Sequence, residues 1–302
     1  MQLFKNNNQA LSTLKEIPFK LEKDIQKLFE QNLEMLTGWQ FIASEFKIKA
    51  NRFDTLAYDI ENRAFVIIEY KRNQNQSVFD QGVSYLNIML DYGADFIVEY
   101  NESQKELLKR NDVDWSQSKI IFVSPSFNDY QKKATDFKDL AIELWEIKHF
   151  ESDIVIINPV KKSKSAPSIK QIQQKEDSVI NKVAEEIRVY NEDDHLSNKS
   201  EFIRELYETY KSALVTLIED VNIVPKKLYI SFEKNKRIVV DLEIQTQEIK
   251  IYINTQYCTL KDLREIGVQM NNKSKWGRGY YQIAIKDTQD LEYIMSLVKQ
   301  AL

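Results

Sequence analysis

Cysteine is nearly absent from this chain: Cys258 is the only one among 302 residues. A single thiol excludes an internal disulfide and a thiolate zinc cluster, since each needs more than one. Histidine is almost as scarce, with His149 and His195 alone. Histidine-rich metal sites and Ser-His or Cys-His relays each require a positioned imidazole, so this composition disfavours them. No stretch approaches the about 18 uncharged apolar residues that a membrane span needs. The opening residues Met1 to Asn8 form no apolar signal core, and the expected compartment is the cytoplasm. The net charge of −4 argues against a protein that coats nucleic acid by charge alone, although local basic patches remain compatible with it. Carboxylates and lysine are left as the main apparatus for any chemistry.

Hydrophobic residues make up 43% and aromatic residues 11% of the chain, enough for real cores, and the length suggests about two domains. Leu21, Ile25, Leu28, Phe29, Leu33 and Leu36 recur at helical spacing and predict a helix over Pro18 to Leu36, stopped by Gly38. Strands are expected over Trp39 to Lys49, Arg52 to Tyr58 and Ala64 to Tyr70, with a turn at Asp59 to Asn62. A helix over Ser77 to Leu90 follows. Asp91 to Arg110 is ambiguous, because Phe96 to Val98 suits a strand while the rest is helical and charged. Lys119 to Ser124, Ile142 to Phe150 and Asp153 to Asn158 read as strands. The order suits an α/β layer with a mixed sheet. Residues 159–175 hold five lysines, no acid and several serines, and are expected to be a basic flexible linker between residues 1–158 and residues 176–302.

Beyond the linker, helices are expected over Asp177 to Tyr190, Lys199 to Val221, Leu260 to Met270 and Asp287 to Leu302. Strands are expected over Lys227 to Glu233, Arg237 to Glu243, Glu248 to Asn254 and Tyr280 to Ile285. This describes a smaller α+β domain. Trp276, Arg278, Tyr280 and Tyr281 beside Lys273 and Lys275 offer stacking faces and cations for nucleic acid.

The most informative stretch is Arg52-Phe-Asp54 followed by Val66-Ile-Ile-Glu69-Tyr-Lys71-Arg72. A buried apolar strand ends here in a carboxylate and an ammonium two residues apart, which leave the same face of the sheet. An Asp on the neighbouring strand reaches that face too. Two carboxylates and a lysine at a strand end suit a Mg²⁺ or Mn²⁺ ion beside a phosphate, with Asp54, Glu69 and the backbone carbonyl of Tyr70 as oxygen ligands. Lys71 either orients an attacking water, stabilises charge growing on phosphoryl oxygens, or serves as a base. Arg52, Arg72 and Lys49 add positive charge for phosphate contact. Gln81 and Tyr85, at i and i+4, share one helix face toward these residues. Among the acids of the first helix, Glu22 is placed on its apolar face, with Glu30 second.

These motifs resemble the PD-(D/E)XK nuclease superfamily, in a branch similar to NucS-like and RecB-like domains, over about Leu21 to Pro159. Phe-Asp stands here in place of the Pro-Asp that names the superfamily. The resemblance implies a restriction-endonuclease-like mixed sheet flanked by helices. It also implies that Asp54 and Glu69 bind Mg²⁺ or Mn²⁺, that Lys71 is catalytic, and that Gln81 and Tyr85 of the Gln-x-x-x-Tyr element, with an acid such as Glu22, organise the site. The implied activity is a metal-dependent deoxyribonuclease. The alternative is a nucleic-acid-binding or protein-interaction module on a nuclease scaffold without turnover. From about Lys226 the chain resembles an uncharacterised domain whose proteins have carried the label "predicted transport protein"; the chain has no membrane segment that would support that label. DNA is the expected partner, and a protein partner for the second domain and a homodimer stay open.

Overall fold

The computed structural model describes residues 2–60, 62–72, 77–163, 165–169, 179–187, 189–234, 237–255, 259–270 and 280–302. The chain divides into two compact units, Met1–Val189 and Tyr190–Leu302. Both are mixtures of helix and sheet.

The first unit opens with a two-stranded hairpin, β1 (Leu3–Asn7) and β2 (Ala10–Leu14). Helices α1 (Glu22–Gln31) and α2 (Leu33–Thr37) follow. A single helix was expected here; Asn32 departs from helical geometry and splits it, and Gly38, at φ 74°, ends α2 in the left-handed region that glycine adopts without cost. Strands β3 (Gln40–Ile48), β4 (Asn51–Asp59) and β5 (Ala64–Tyr70) form an antiparallel meander. Then come α3 (Val78–Asp91), α4 (Gly93–Gln104), β6 (Lys119–Ser124), α5 (Asp129–Thr135), β7 (Ile142–Phe150), β8 (Ile154–Pro159) and α6 (Val179–Glu186). The ambiguous Phe96 to Val98 segment lies inside α4. The sheet order is β3-β4-β5-β6-β7-β8, with β5, β6 and β7 parallel and the other pairs antiparallel.

Every residue of β5 is buried, because the strand is covered on both faces. Val66, Ile68 and Tyr70 pack with Ile25 and Phe29 of α1 and Leu33 of α2. Phe65 and Ile67 pack with Leu86 and Phe96 from α3 and α4. A strand sandwiched in this way has no polar face, which explains its continuous apolar sequence.

The segment expected to be a flexible linker differs from that expectation where it is described. Lys162 donates to the carbonyls of Phe137 and Leu140, Ser163 bonds the Asp136 carboxylate, and the Ile169 amide donates to Asp139 at 2.7 Å. Ile169, Val183, Ala184 and Ile187 are buried in the same cluster as Val83 and Leu86. Hydrogen bonds at Lys162 and Ser163 and the buried Ile169 dock the described part of the basic stretch.

The second unit contains α7 (Glu192–Leu196), α8 (Glu201–Leu217), strands β9 (Asn222–Pro225), β10 (Ile230–Lys234), β11 (Arg237–Ile244), β12 (Ile249–Asn254), β13 (Gly267–Gln269) and β14 (Tyr280–Ile285), and α9 (Leu291–Lys299). Its sheet is antiparallel in the order β13-β14-β12-β11-β10-β9. Ile203, Tyr207 and Leu214 of α8 and Ile294, Leu297 and Val298 of α9 cover one face. The helix expected over Leu260 to Met270 does not form. Leu263 is 90% exposed, and Asp262 accepts the amides of Arg264 and Gly267, folding the segment into turns before β13. Cys258, Lys273, Lys275, Trp276 and Arg278 lie outside the described residues, whereas Tyr280 is buried in β14 and the Tyr281 hydroxyl donates to Asp262 at 2.7 Å.

Candidate functional site

The two strands carrying the acids part at one end. The β4 and β5 ladder runs from Asp59↔Ala64 to Thr55↔Ile68 and stops there. Beyond that point the side chains replace the ladder. The Tyr70 amide donates to Asp54 Oδ2 at 3.0 Å, and the Asp54 amide donates to Glu69 Oε1 at 3.1 Å. Each carboxylate thus satisfies the backbone of the other strand. The remaining oxygen, Asp54 Oδ1, accepts no hydrogen bond among the described residues.

Lys71 Nζ lies 3.3 Å from Glu69 Oε2, and the Gln81 amide donates to the same oxygen at 3.2 Å. Gln81 Nε2 is also 2.8 Å from the Tyr85 hydroxyl, which in turn reaches the Arg52 carbonyl at 3.4 Å. Helix α3 delivers both residues because Ser77 caps its start and Gly82 lets it lie close against the sheet: a Cβ at Gly82 would sit 2.4 Å from Ile142 Cδ1. The Tyr85 ring meets Phe53 edge-on at 4.7 Å, so the residue preceding Asp54 is a core side chain that anchors the strand. Asp54, Glu69, Lys71, Gln81 and Tyr85 therefore form one bonded cluster.

Burial dominates the electrostatics. Glu69 is only 3% exposed. Burial first, and the Asp54 charge second, push its carboxyl up to about 7, against the opposing pull of Lys71. Burial likewise raises Asp54, against the Tyr70 amide and Lys71. The Tyr85 hydroxyl is pushed up to about 12 by burial and by Glu69, so it stays protonated. Burial raises both carboxyls, and a bound cation would offset the cost of keeping them charged.

The acid expected from the first helix is placed differently. The buried face of α1 runs through Ile25, Gln26 and Phe29, while Leu21 and Glu22 are exposed. Helix α1 begins only at Glu22, so the apolar stripe does not reach back to it. Glu22 Oε1 accepts the Arg72 amide at 2.9 Å, one residue past Lys71, and makes no hydrogen bond to Asp54, Glu69 or Lys71. Glu30 accepts from the Thr55 hydroxyl at 2.5 Å and from Gln26 at 2.9 Å. Arg72 is exposed and its guanidinium donates to the Lys20 carbonyl, while Arg52 pairs with Glu45 at 3.0 Å.

Two residues at this site escape sequence reading. Gln26 is buried and aims one amide nitrogen at Glu30, at Ser44 Oγ (3.0 Å) and at the Asp54 carbonyl (2.8 Å), three acceptors for two hydrogens. It stands on the apolar stripe with Phe29 and Leu33, and that misplaced polarity was the available signal. The other is Glu45, described below.

For a hard cation the donors present fit in kind: Asp54 and Glu69 offer carboxylate oxygens, and Tyr70 a backbone carbonyl. Among the described residues no group of three or more His, Cys, Asp and Glu side chains gathers as a metal site. Two carboxylates suffice for Mg²⁺, which retains several waters and accepts phosphate oxygens. Among the described residues no helix is long and apolar enough to cross a membrane.

The fold and the cluster define a mixed α/β protein with an Asp-Glu-Lys group at a strand fork, its Glu69 and Lys71 buried and its Asp54 half-buried. Residues 192–302 match a domain of unknown function, DUF5655. A Haemophilus influenzae protein described as an uncharacterized protein is 56% identical over 302 residues, spanning 100% of this chain and 99% of its own length, and the chain belongs to the same family. No solved structure matches the chain.

Proposed function

We propose that this protein is a metal-dependent nuclease that hydrolyses DNA phosphodiester bonds, with the second unit serving substrate or partner recognition. One observation carries the reading: Asp54, Glu69, Lys71 and Gln81 are tied together by hydrogen bonds at the parted ends of β4 and β5. The mixed sheet flanked by helices is compatible with that reading.

A bound Mg²⁺ or Mn²⁺ ion would supply Lewis acidity toward a phosphoryl oxygen and lower the pKa of a bound water. Asp54 and Glu69 would hold that cation through their carboxylates, and Asp54 Oδ1 has no competing donor among the described residues. Lys71 places its ammonium beside Glu69, where it stabilises the charge that grows on the phosphoryl oxygens. Gln81 fixes Glu69 by donating to Oε2, and Tyr85 fixes Gln81. A water oxygen bonds to phosphorus while one P–O ester bond breaks. One fragment keeps a phosphomonoester, and the other leaves as a hydroxyl with the water's proton.

The test is incubation of the purified full chain with Mg²⁺ or Mn²⁺ and duplex, branched and single-stranded DNA. Cleavage of at least one form, abolished by EDTA, is expected. Intact DNA in all three forms with both metals contradicts the reading.

A further inference from the structure

Glu45 sits in the middle of β3 with φ at 56°, in the left-handed region that a glutamate rarely occupies. The β3–β4 ladder pairs Ser44 with Thr55 and Phe46 with Phe53, and omits the pair between them, Glu45 and Asp54. Two carboxylates directly across neighbouring strands repel one another. The strand is thus distorted at the one point where it faces the site's aspartate, and such distortions collect at functional sites.

The distortion delivers the Glu45 carboxylate to two cations from different elements. Oε1 lies 2.7 Å from Lys23 Nζ on α1, and Oε2 lies 3.0 Å from Arg52 Nε on β4. One oxygen on an ammonium and one on a guanidinium is how a phosphate would be held. All three side chains are partly open to solvent, at 46%, 62% and 33% for Lys23, Arg52 and Glu45. An ion pair this exposed is screened by water and holds only weakly, so an incoming anion can replace it at little cost. Lys23 also donates to Gln26 Oε1 at 3.1 Å, and Gln26 donates to the Asp54 carbonyl at 2.8 Å. The cation pair is therefore bonded through one side chain to the strand that carries Asp54.

We propose that Lys23 and Arg52 form a phosphate subsite for a DNA strand beside the Asp54–Glu69 pair, and that Glu45 occupies this subsite until a DNA phosphate displaces it. The proposal rests on the nuclease reading for the identity of the anion. It makes Glu45 an internal competitor: it keeps the two cations in place in the free protein and sets the threshold an incoming strand must exceed.

The measurement is fluorescence anisotropy of a labelled DNA duplex titrated with the full-length protein in EDTA, where binding is separated from cleavage. Glu45→Gln keeps the side-chain volume and removes the competing charge, and is expected to bind about three- to tenfold more tightly than wild type. Glu45→Gly removes the charge and also relieves the backbone, and is expected to shift affinity in the same direction. Adding Lys23→Ala and Arg52→Ala to Glu45→Gln should abolish the gain. Equal or weaker binding by both Glu45 variants overturns the proposal, as does a gain that survives loss of both cations. A parallel Mn²⁺ cleavage assay separates the two claims. Tighter binding without cleavage by any form sinks the nuclease reading and leaves the subsite standing. Cleavage with unchanged affinity sinks the subsite alone.

Discussion

Glu69 shows what the site costs the fold. Its carboxyl is pushed up to about 7 from an ordinary 4.5. Between those values the folded chain holds a proton that the unfolded chain has released, so stability falls as pH rises through that window. Above it, the folded protein carries a buried charge that a neutral side chain would spare. Glu69→Gln is therefore expected to raise the unfolding free energy by roughly 1–3 kcal/mol at pH 8 and to leave it nearly unchanged at pH 4. Denaturant titrations at the two pH values check this, and an equal effect at both would contradict it. A stabilising substitution at a buried position marks a residue retained for something other than stability. At this scale the sequence was informative about charge and poor about geometry. Asp54, Glu69 and Lys71 are legible because charges interrupt apolar strands. Gln81 and Tyr85 are legible from helical spacing. Gln26 carries no charge to flag it, and its place on the apolar stripe with Phe29 is the one mark it leaves in the sequence. Glu45 depends on a backbone angle that its residue type does not announce.

At the scale of elements, α3 is positioned by a close approach rather than by charge. Gly82 faces Ile142 and Phe122 with no room for a methyl group: a Cβ would also sit 3.0 Å from Ile142 Cγ1 and 3.3 Å from Phe122 Cε2. Gly82→Ala must move a buried isoleucine or tilt the helix, at about 1–3 kcal/mol. That should lower the melting temperature by roughly 2–8 °C, and should weaken any activity that needs Gln81 against Glu69. A melting temperature raised by the alanine, as helix propensity alone would give, would contradict the packing account. The elements read correctly from sequence are those with strong periodicity or continuous burial, above all β5 and α3. Those missed bury little: the β1–β2 hairpin is exposed along nearly its whole length. Helix α5 was also missed, although Asn128 and Gln131 form a reciprocal cap at its start. The absent helix at Leu260 to Met270 failed for a local reason, since the Asp262 carboxylate gathers two backbone amides and the hydroxyls of Tyr281 and Tyr293.

At the scale of the whole chain, the boundary between the units falls at Val189 and Tyr190, not at the start of the basic stretch. Composition pointed to a tether because lysine and serine dominate residues 159–175. Where the stretch is described it is docked: Ile169 within it, and Val183, Ala184 and Ile187 beyond it, are buried against the first unit's core. Burying a large apolar side chain contributes about 1.5–3 kcal/mol, so losing several at once is severe for a domain of this size. A fragment of residues 1–189 is expected to fold and melt cooperatively. A fragment of residues 1–158 is expected to aggregate or to melt at least about 10 °C lower. Equal melting temperatures would show that the docked segment contributes nothing.

The most direct test of the nuclease account is the single-turnover cleavage rate of Lys71→Ala against wild type, on the DNA form that wild type cuts best and with saturating Mn²⁺. Lys71 Nζ holds the position beside Glu69 where negative charge would develop. With folding verified by circular dichroism, the account predicts a fall on the order of a hundredfold or more. A Lys71→Ala protein that cleaves at the wild-type rate would contradict it.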